Sequence, residues 1–235
     1  MATNSNDRFN EIENLVTSAE YKEQFKAAET TAELREIAAQ AGVDTDDRSD
    51  MGKFIHKLKI LGIDYKAMSA TEREERQARQ QEDAAELAEN SGQGTRLDVW
   101  TGAVESENAD KGAFALVDET GEAIWFGSFF DNDQIYTPGD IGSAEQSAAE
   151  KAVYLARKVQ EETGVEIIDL HIHTEYPDLD VDQLRLRGVA KDSKVAVTVD
   201  VDPTDERASN VARMGGFRSL KNVDFAALID VNEDE

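Results

Sequence analysis

The sequence predicts an α+β or α/β fold, in which a small all-α domain precedes a five-stranded sheet with flanking helices. Apolar residues recur at helical spacing from residue 8 to residue 68, whereas five segments after residue 95 have the pattern of strands. Between these regions lies a stretch rich in charged residues and alanine. We therefore divide the chain into a helical domain (1–68), a charged helical linker (69–94), a domain that carries the sheet (95–222) and an acidic tail (223–235).

The helical domain predicts several amphipathic helices. Its stretches TTAELREIAAQAGV and MGKFIHKLKILGIDY are similar to the two helices of a helix-turn-helix module, with Leu34 and Phe54 among the core residues. The connection DTDDRSD is longer and more acidic than the usual turn of that module. In a complex with DNA, its carboxylates would face the phosphates of the backbone, which carry the same charge. A helical bundle or a domain that docks a protein partner is therefore the favoured interpretation.

The charged stretch predicts an exposed helix or linker. Ser69 and Glu72 have the spacing of a capping box, which would start a helix there. Glu72 and Arg76, and likewise Glu75 and Arg79, are oppositely charged pairs four residues apart, and such pairs support solvated helices. Glycines end the stretch and place the domain boundary near residue 94.

Three segments after this boundary predict consecutive antiparallel strands. They are RLDVWTGAV, KGAFALVD and GEAIWFGSFF, and the turn residues Glu119, Thr120 and Gly121 separate the second from the third. Strands that follow one another in this way form a meander.

A helix is predicted next, from Ser143 to Glu162. Ser143 and Gln146 have the spacing of a capping box, and Gly164 lies just past the last helical residue. The face predicted to be buried carries small apolar residues, namely Ala149, Ala152, Val153 and Ala156. The helix should therefore pack closely on a sheet.

The segment VEIIDLHIHT predicts a half-buried fourth strand, because Ile168, Leu170 and Ile172 alternate with polar residues. The same alternation places His171 and His173 together on the opposite face. A metal site would need a third ligand, and the sequence shows none. A pair of surface histidines is the favoured interpretation.

Three further segments complete the domain. VDQLRLRGV predicts a short helix, KVAVTVDVD a fifth strand, and PTDERASNVARMGG a last helix that Pro203 would begin. The order of elements after residue 95 is thus β-β-β-α-β-α-β-α.

The composition is strongly acidic, with 50 acidic and 25 basic residues and a net charge of −25. One explanation is a high-salt cytoplasm, where the Debye length falls to roughly 3 Å at 1 M and self-repulsion is screened. The other is mimicry of a nucleic-acid backbone. The even spread of acids favours halophilic adaptation. The lack of cysteine excludes thiol chemistry, and the polar amino terminus predicts a cytoplasmic protein without a membrane partner, in a host cell or encoded by a virus.

The order of elements over residues 96–220 is similar to the ribonuclease H-like family, in which a meander and a helix are followed by a parallel strand, a helix, a strand and a terminal helix. The resemblance implies a mixed five-stranded sheet. In active members, four carboxylates hold two magnesium ions beside the scissile phosphate, and the ions stabilise the attacking and leaving oxygens. Neutral residues cannot replace these ligands.

The resemblance implies that two of the four acids are missing. The first-strand position falls on Thr101 in VWTGAV, and the last-helix position falls on Ser209 in DERASNVARMG, which resembles the family's segment Asn-Glu-x-Ala-Asp-x-x-Ala. The acid that ends the fourth strand is matched by Glu175 in HIHTEY. The helix acid is matched by Glu150 in AAEKAVYLA or by Glu145, which lies nearer the alanine stripe.

Three aspartates are candidate substitutes for the missing acids, namely Asp98, Asp202 and Asp205. Strand alternation directs Asp98 away from Thr101. A catalytic site would need Mg²⁺ or Mn²⁺, and without catalysis no cofactor is expected. The candidate catalytic residues are Glu150, Glu175, Glu145 and Asp205. The candidate metal ligands are Asp98, Glu150, Glu175 and Asp202.

Three functions remain open. The first is a ribonuclease H-like protein with weakened catalysis that binds nucleic acid, or a protein partner through its amino-terminal helices. The second is a metal-dependent nuclease that cleaves RNA in RNA-DNA hybrids. The third is an acidic interaction or inhibitor protein that does not bind nucleic acid. Arg185, Arg187 and Lys191 form a local basic cluster that is a candidate phosphate contact, with a solvated helix face as the alternative.

Overall fold

The structure is a computed structural model that describes residues 5–105 and 111–229. The chain forms two compact units, Met1–Arg79 and Gln80–Glu235, and the division lies within a long helix. The domain boundaries taken from the sequence stay predictions. Among the described helices, none is both long enough and apolar enough to cross a bilayer.

The first unit is helical, as the apolar spacing predicts. Its elements are α1 (Ser5–Thr17), α2 (Lys22–Ala27), α3 (Thr31–Gln40), α4 (Arg48–Leu58), a 3-10 turn (Lys59–Leu61) and the first part of α5 (Tyr65–Glu89). The core is formed by large apolar side chains that are fully or almost fully buried, among them Ile12, Phe25, Leu34, Phe54 and Leu58. Packing of this apolar face, rather than helix propensity alone, stabilises such short helices.

Helix α4 packs against α1, and two ion pairs join these helices. Arg8 contacts Asp50 at 2.6 Å, and the ammonium of Lys57 contacts the carboxylate of Glu13. Residues 41–47 connect α3 to α4. The helix-turn-helix resemblance of these two helices stays a prediction.

Helix α5 confirms the predicted charged helix, but its predicted start at Ser69 is wrong. It begins one turn earlier because the Asp64 carboxylate accepts hydrogen bonds from two backbone N–H groups of the first turn, each at 3.1 Å. Glu72 has a different partner, since its carboxylate accepts from the N–H and the hydroxyl of Thr31, both at 2.6 Å. Glu72 thus caps the amino terminus of α3.

The second unit contains a mixed five-stranded sheet in the order β3-β2-β1-β4-β5. Its strands are β1 (Thr95–Val104), β2 (Ala113–Val117), β3 (Ala123–Ser128), β4 (Ile168–Thr174) and β5 (Val195–Val201). Strands β1 to β3 are antiparallel, whereas β4 is parallel to both β1 and β5. The predicted fold class, meander and order of elements are confirmed, and they are those that the ribonuclease H-like resemblance implies.

Helices cover the two faces of this sheet. They are α6 (Ile141–Thr163), α7 (Val181–Gly188) and α8 (Arg207–Arg213), with 3-10 turns at Ala190–Asp192, Leu220–Asn222 and Ala226–Leu228. Leu97 and Val99 of β1 share a core with α6, whereas Trp100 packs in the cluster formed with α8. Because successive strand residues point to opposite faces, α6 and α8 lie on opposite sides of β1.

The predicted buried stripe of α6 is confirmed, and the predicted cap is wrong. All four of its small apolar residues are buried, and Gly164 ends the helix in the left-handed conformation, at φ 74°. The helix begins at Ile141 because the Asp140 carboxylate accepts from the N–H of Gly142 at 3.1 Å. The Ser143 hydroxyl instead accepts from the N–H of Thr137 at 2.8 Å.

Candidate functional site

The candidate site lies where β4 ends and β1 continues. The parallel pairing of these strands stops at Thr101 and Thr174, so the N–H of Ala103 has no partner on β4. The Glu145 carboxylate of α6 takes this place, and its Oε1 accepts from the Ala103 N–H at 3.0 Å. The backbone of the central strand β1 therefore holds Glu145 in position.

Glu145 is a buried acid beside a second carboxylate. Glu145 is only 2% exposed. The pKa of Glu145 is raised to about 7, chiefly by burial and to a smaller extent by the charge of Glu175, and the Ala103 hydrogen bond opposes this rise. At neutral pH, Glu145 is therefore close to half protonated.

Helix α8 brings Ser209 to Glu175. The Ser209 hydroxyl donates to Oε2 of Glu175 at 3.3 Å, and the residue is 1% exposed. The helix approaches β1 closely because Gly102 has no side chain, and a Cβ there would lie 2.7 Å from the Ser209 nitrogen. Arg213, one turn along α8, donates to the Ser209 hydroxyl at 3.4 Å.

Thr101 completes the group of four positions that the resemblance implies. It pairs with Thr174, the residue before Glu175, and is 2% exposed. Its Oγ1 and the Oε2 of Glu145 are buried without a hydrogen-bond partner among the described residues. The four positions are thus assembled at the end of β4, with two carboxylates and two hydroxyls.

This donor set does not fit two magnesium ions. Magnesium needs octahedral oxygen coordination, and paired ions in such sites are held by several carboxylates. Residues 5–105 and 111–229 contain no cluster of three or more His, Asp or Glu side chains placed to hold a metal ion. No catalytic step through a metal pair follows from this site.

Glu150 lies apart from the site, against α7. Its Oε1 accepts from Gln183 Nε2 at 2.7 Å, and its Oε2 contacts Arg187 Nε at 3.2 Å. Burial raises the pKa of Glu150, and the charge of Arg187 lowers it. Residues five apart on a helix differ by about 140° in direction, so only Glu145 faces Glu175.

Asp98 lies on the opposite face of β1 from Thr101, as strand alternation predicts. It accepts two hydrogen bonds from Arg96, at 2.6 and 2.8 Å, and lies 2.8 Å from His173 Nε2. The Arg96 hydrogen bonds hold the pKa of Asp98 at about 2, with a smaller contribution from His173, and burial opposes the shift. The imidazole of His173 also stacks on Trp100, with ring centroids 4.1 Å apart.

Asp202 and Asp205 form a turn before α8, and their carboxylates accept hydrogen bonds from residues close to them in the chain. Asp202 Oδ1 accepts from the N–H and hydroxyl of Thr204, at 2.9 and 2.7 Å, and Asp205 accepts from Arg207 Nε at 2.8 Å. Because this turn occupies the start of the segment, α8 begins at Arg207, and the predicted start at Pro203 is wrong. Of the proposed metal ligands in the described part of the chain, only Glu175 forms a side-chain hydrogen bond with another of the four positions, namely Ser209.

The three predicted phosphate contacts have separate surroundings. Arg187 pairs with Glu150, and Arg185 lies 3.6 Å from Asp182. Lys191 follows α7 and lines a cavity beside the carboxyl-terminal half of α6. The sequence places them close together, but two of them are already paired with acids.

The order and directions of the strands are those that the ribonuclease H-like resemblance implies. No family profile matches the chain, and no curated protein matches it. Among solved structures, it is similar to ribonuclease H1 from the halophilic archaeon Halobacterium salinarum NRC-1, at 18% identity over 49% of this chain and 92% of that chain, with a TM-score of 0.28. The fold assignment rests on the observed strand order and directions.

Proposed function

We propose that this chain is a ribonuclease H-like protein that acts by binding, with nucleic acid as its ligand, and that its catalytic acids are partly lost. The observation that carries the proposal is the pair of hydroxyl residues at Thr101 and Ser209, beside the remaining carboxylates of Glu145 and Glu175. A hydroxyl group is a much weaker metal ligand than a carboxylate. The fold supplies a surface for binding, and the loss of two carboxylates weakens metal-dependent catalysis.

The number of carboxylates supports the same conclusion. Glu145 and Glu175 together carry at most two negative charges, even when a bound cation deprotonates Glu145. Two magnesium ions, with four positive charges, are poorly matched by this site.

Two arginines of α8 favour a nucleic-acid ligand near the site. Arg213 lies beside Ser209, and the Arg207 guanidinium, which also pairs with Asp205, lies 4.5 Å from the ring centroid of Trp100. Arginine binds phosphate oxygens through its fork of N–H groups. The net charge of −25 repels a polyanion at low salt, and this repulsion is screened in molar salt.

Binding is tested by fluorescence anisotropy with a labelled RNA-DNA hybrid, at low and at molar potassium chloride, with a chelator present. We expect wild-type binding at molar salt and a several-fold weaker complex for Arg213→Gln. Lys194→Gln is the matched control, because this exposed lysine pairs with Glu166 rather than with the site. A hybrid that fails to bind at either salt concentration contradicts the proposal, and a basic protein captured and released by salt would then favour the acidic interaction protein.

A metal-dependent nuclease is the second candidate. The proximity of Glu175 to Glu145 favours it, because the charge of Glu175 raises the pKa of Glu145, as in sites that gather acids. Its test is calorimetry with Mg²⁺ or Mn²⁺ together with hybrid cleavage in molar potassium chloride. Cleavage that Glu175→Gln abolishes and Glu150→Gln preserves would establish the nuclease and refute the loss of catalysis.

A further inference from the structure

A second concave site lies far from the candidate site, between the carboxyl-terminal half of α6 and the turn before β5. It is a cavity of about 430 Å³ whose lining includes Tyr154, Arg157, Lys158, Glu161 and Lys191. Twelve residues of α6 separate Glu145 from Arg157, which corresponds to about 18 Å along the helix. The volume lies within the range of small-molecule sites.

The cavity is cationic in a strongly acidic chain. Lys158 forms an ion pair with Glu161, whereas Arg157 and Lys191 form no ion pair with any residue that the structure describes. The Lys158 hydrogen bond lowers the pKa of Glu161, and the charges of Arg157 and Lys191 add to this effect. Three cationic side chains and two carboxylates, those of Glu161 and Asp192, line the cavity, which leaves one net positive charge for a ligand.

The Arg157 guanidinium has an unused donor. Its Nε is buried and has no hydrogen-bond partner in the described part of the chain. A buried N–H without an acceptor is unfavourable, and a rotation of the Arg157 side chain towards the cavity would let an anionic oxygen there supply one. Because Nε and a terminal nitrogen of arginine form a planar fork, a phosphate is a geometrically suitable partner.

The cavity wall also offers an aromatic ring and a fixed turn. Tyr154 is 45% exposed, and an exposed aromatic ring can stack on a nucleobase. The turn that carries Lys191 is held by Ser193, whose hydroxyl makes 2.7 Å contacts with the carbonyls of Gly188 and Ala190. The basic and aromatic groups are thus presented by ordered elements.

We propose that this cavity binds a nucleoside phosphate, with Arg157 and Lys191 on the phosphate and Tyr154 against the base. The ligand is a free nucleotide or the phosphorylated end of an RNA or DNA strand, since both present the same chemistry. This site is independent of the proposed function, because no residue of the Glu145 and Glu175 site contributes to it.

Calorimetry on the full chain in molar potassium chloride tests the proposal with ADP, adenosine and inorganic phosphate. ADP should bind more tightly than either fragment. Arg157→Gln and Lys191→Gln should each weaken ADP binding about tenfold, which corresponds to the loss of one charge-assisted hydrogen bond. Glu161→Gln should strengthen it, because the competing carboxylate is removed.

Lys194→Gln is the control, since it removes one nearby positive charge that does not line this cavity. Thermal unfolding of each variant establishes that it is folded. Unchanged ADP affinity in both Arg157→Gln and Lys191→Gln, or no ADP binding to the wild type, overturns the proposal. If Arg157→Gln does not fold, the exposed positions Lys191 and Glu161 decide the outcome in the same way.

Two oligonucleotides distinguish the sources of the ligand. A single strand with a 5′-phosphate is compared with the same strand ending in a 5′-hydroxyl. A preference for the phosphorylated strand that Lys191→Gln removes, together with affinity above that of ADP, assigns the site to strand ends. Tighter binding of ADP assigns it to free nucleotides, and binding of neither probe refutes both.

Discussion

The Ser209 hydroxyl donates a hydrogen bond to Oε2 of Glu175 at 3.3 Å, at a position where the ribonuclease H-like resemblance implies a second carboxylate. Two facing carboxylates repel each other unless cations lie between them. A hydroxyl changes this repulsion into an attraction that needs no metal. The contact between Ser209 and Glu175 therefore needs no metal ion, which agrees with a protein that binds rather than hydrolyses.

Restoring both acids should make the protein dependent on metal. We expect Thr101→Asp combined with Ser209→Asp to lower the free energy of unfolding by on the order of 3 kcal/mol without metal, because four acids would then share a buried site. Mg²⁺ or Mn²⁺ should raise the unfolding temperature of this variant and leave that of the wild type unchanged.

The control for the double variant is Asn210→Asp, which adds a negative charge to the exposed side of α8 next to Ser209. It should show no metal-dependent stabilisation. Equal stabilisation of the wild type and the double variant by metal would mean that the two hydroxyl residues do not limit metal binding.

The strands and helices were predictable because their signals are local. Alternation in β1 and β4 and the alanine stripe of α6 follow from neighbouring residues alone. The starts of α5, α6 and α8 were predicted wrongly, because several residues near each start are able to cap a helix. The structure selects Asp64 for α5 and Asp140 for α6.

The candidate site was predictable in part. Short motifs located Thr101, Glu175 and Ser209, but the choice between Glu145 and Glu150 depends on which face of α6 meets the end of β4. Tertiary contacts decide that question. The cationic cavity also escaped sequence reasoning, because its two sides are separated by about 30 residues and share no periodic pattern.

Glu145 should make the protein less stable as the pH rises. Its pKa is about 7 in the folded protein against an ordinary value of 4.5, so the folded state binds more protons between these values. Stability should therefore fall from pH 5 to pH 8, by on the order of 3 kcal/mol from this group. Urea unfolding at several pH values measures the effect.

Glu145→Gln should remove this part of the pH dependence and be more stable than the wild type at pH 8. Glu82→Gln, on the exposed surface of α5, is the matched control and should keep the wild-type profile. Parallel pH profiles for wild type and Glu145→Gln would show that the acid is not held in a low-dielectric site.

A buried ion pair should stabilise the loop before α6. Lys151 contacts Asp133 at 2.5 Å, and Ser147 donates to the same carboxylate at 2.8 Å. Burial raises the pKa of Asp133, but hydrogen bonds from Lys151, from two backbone N–H groups and from Ser147 outweigh it and lower the pKa to about 2. Asp133→Asn should cost about 3 to 5 kcal/mol at pH 7, because Lys151 is left buried and unpaired.

The stabilisation by Asp133 should decrease at low pH. Because the folded pKa of Asp133 lies below 3.8, the stabilisation is complete above that value and is lost as the pH falls towards 2. Asp131→Asn is the control, since Asp131 forms an exposed pair with Lys111 in the same region. A cost for Asp133→Asn no larger than that of this control would refute the proposed role of the buried pair.

Gly102 should be the residue that allows α8 to approach the site. An added Cβ would lie 2.7 Å from the Ser209 nitrogen and 3.1 Å from Ala208, and both contacts involve the helix backbone. Gly102→Ala should therefore force α8 away from β1, at a cost of about 1 to 3 kcal/mol. Hydrogen exchange of the α8 amides should speed up, because the helix loses its packing surface.

The same substitution at Gly52 is the control, because no heavy atom lies within 4 Å of a Cβ built there. Gly52→Ala lies within a helix and should stabilise the protein by up to about 1 kcal/mol, with no change in α8 exchange. Unchanged α8 exchange in Gly102→Ala would mean that the close packing against β1 does not hold Ser209 beside Glu175. Faster exchange, with the Glu145 pH dependence altered as well, would show that one glycine positions both α8 and the remaining carboxylates.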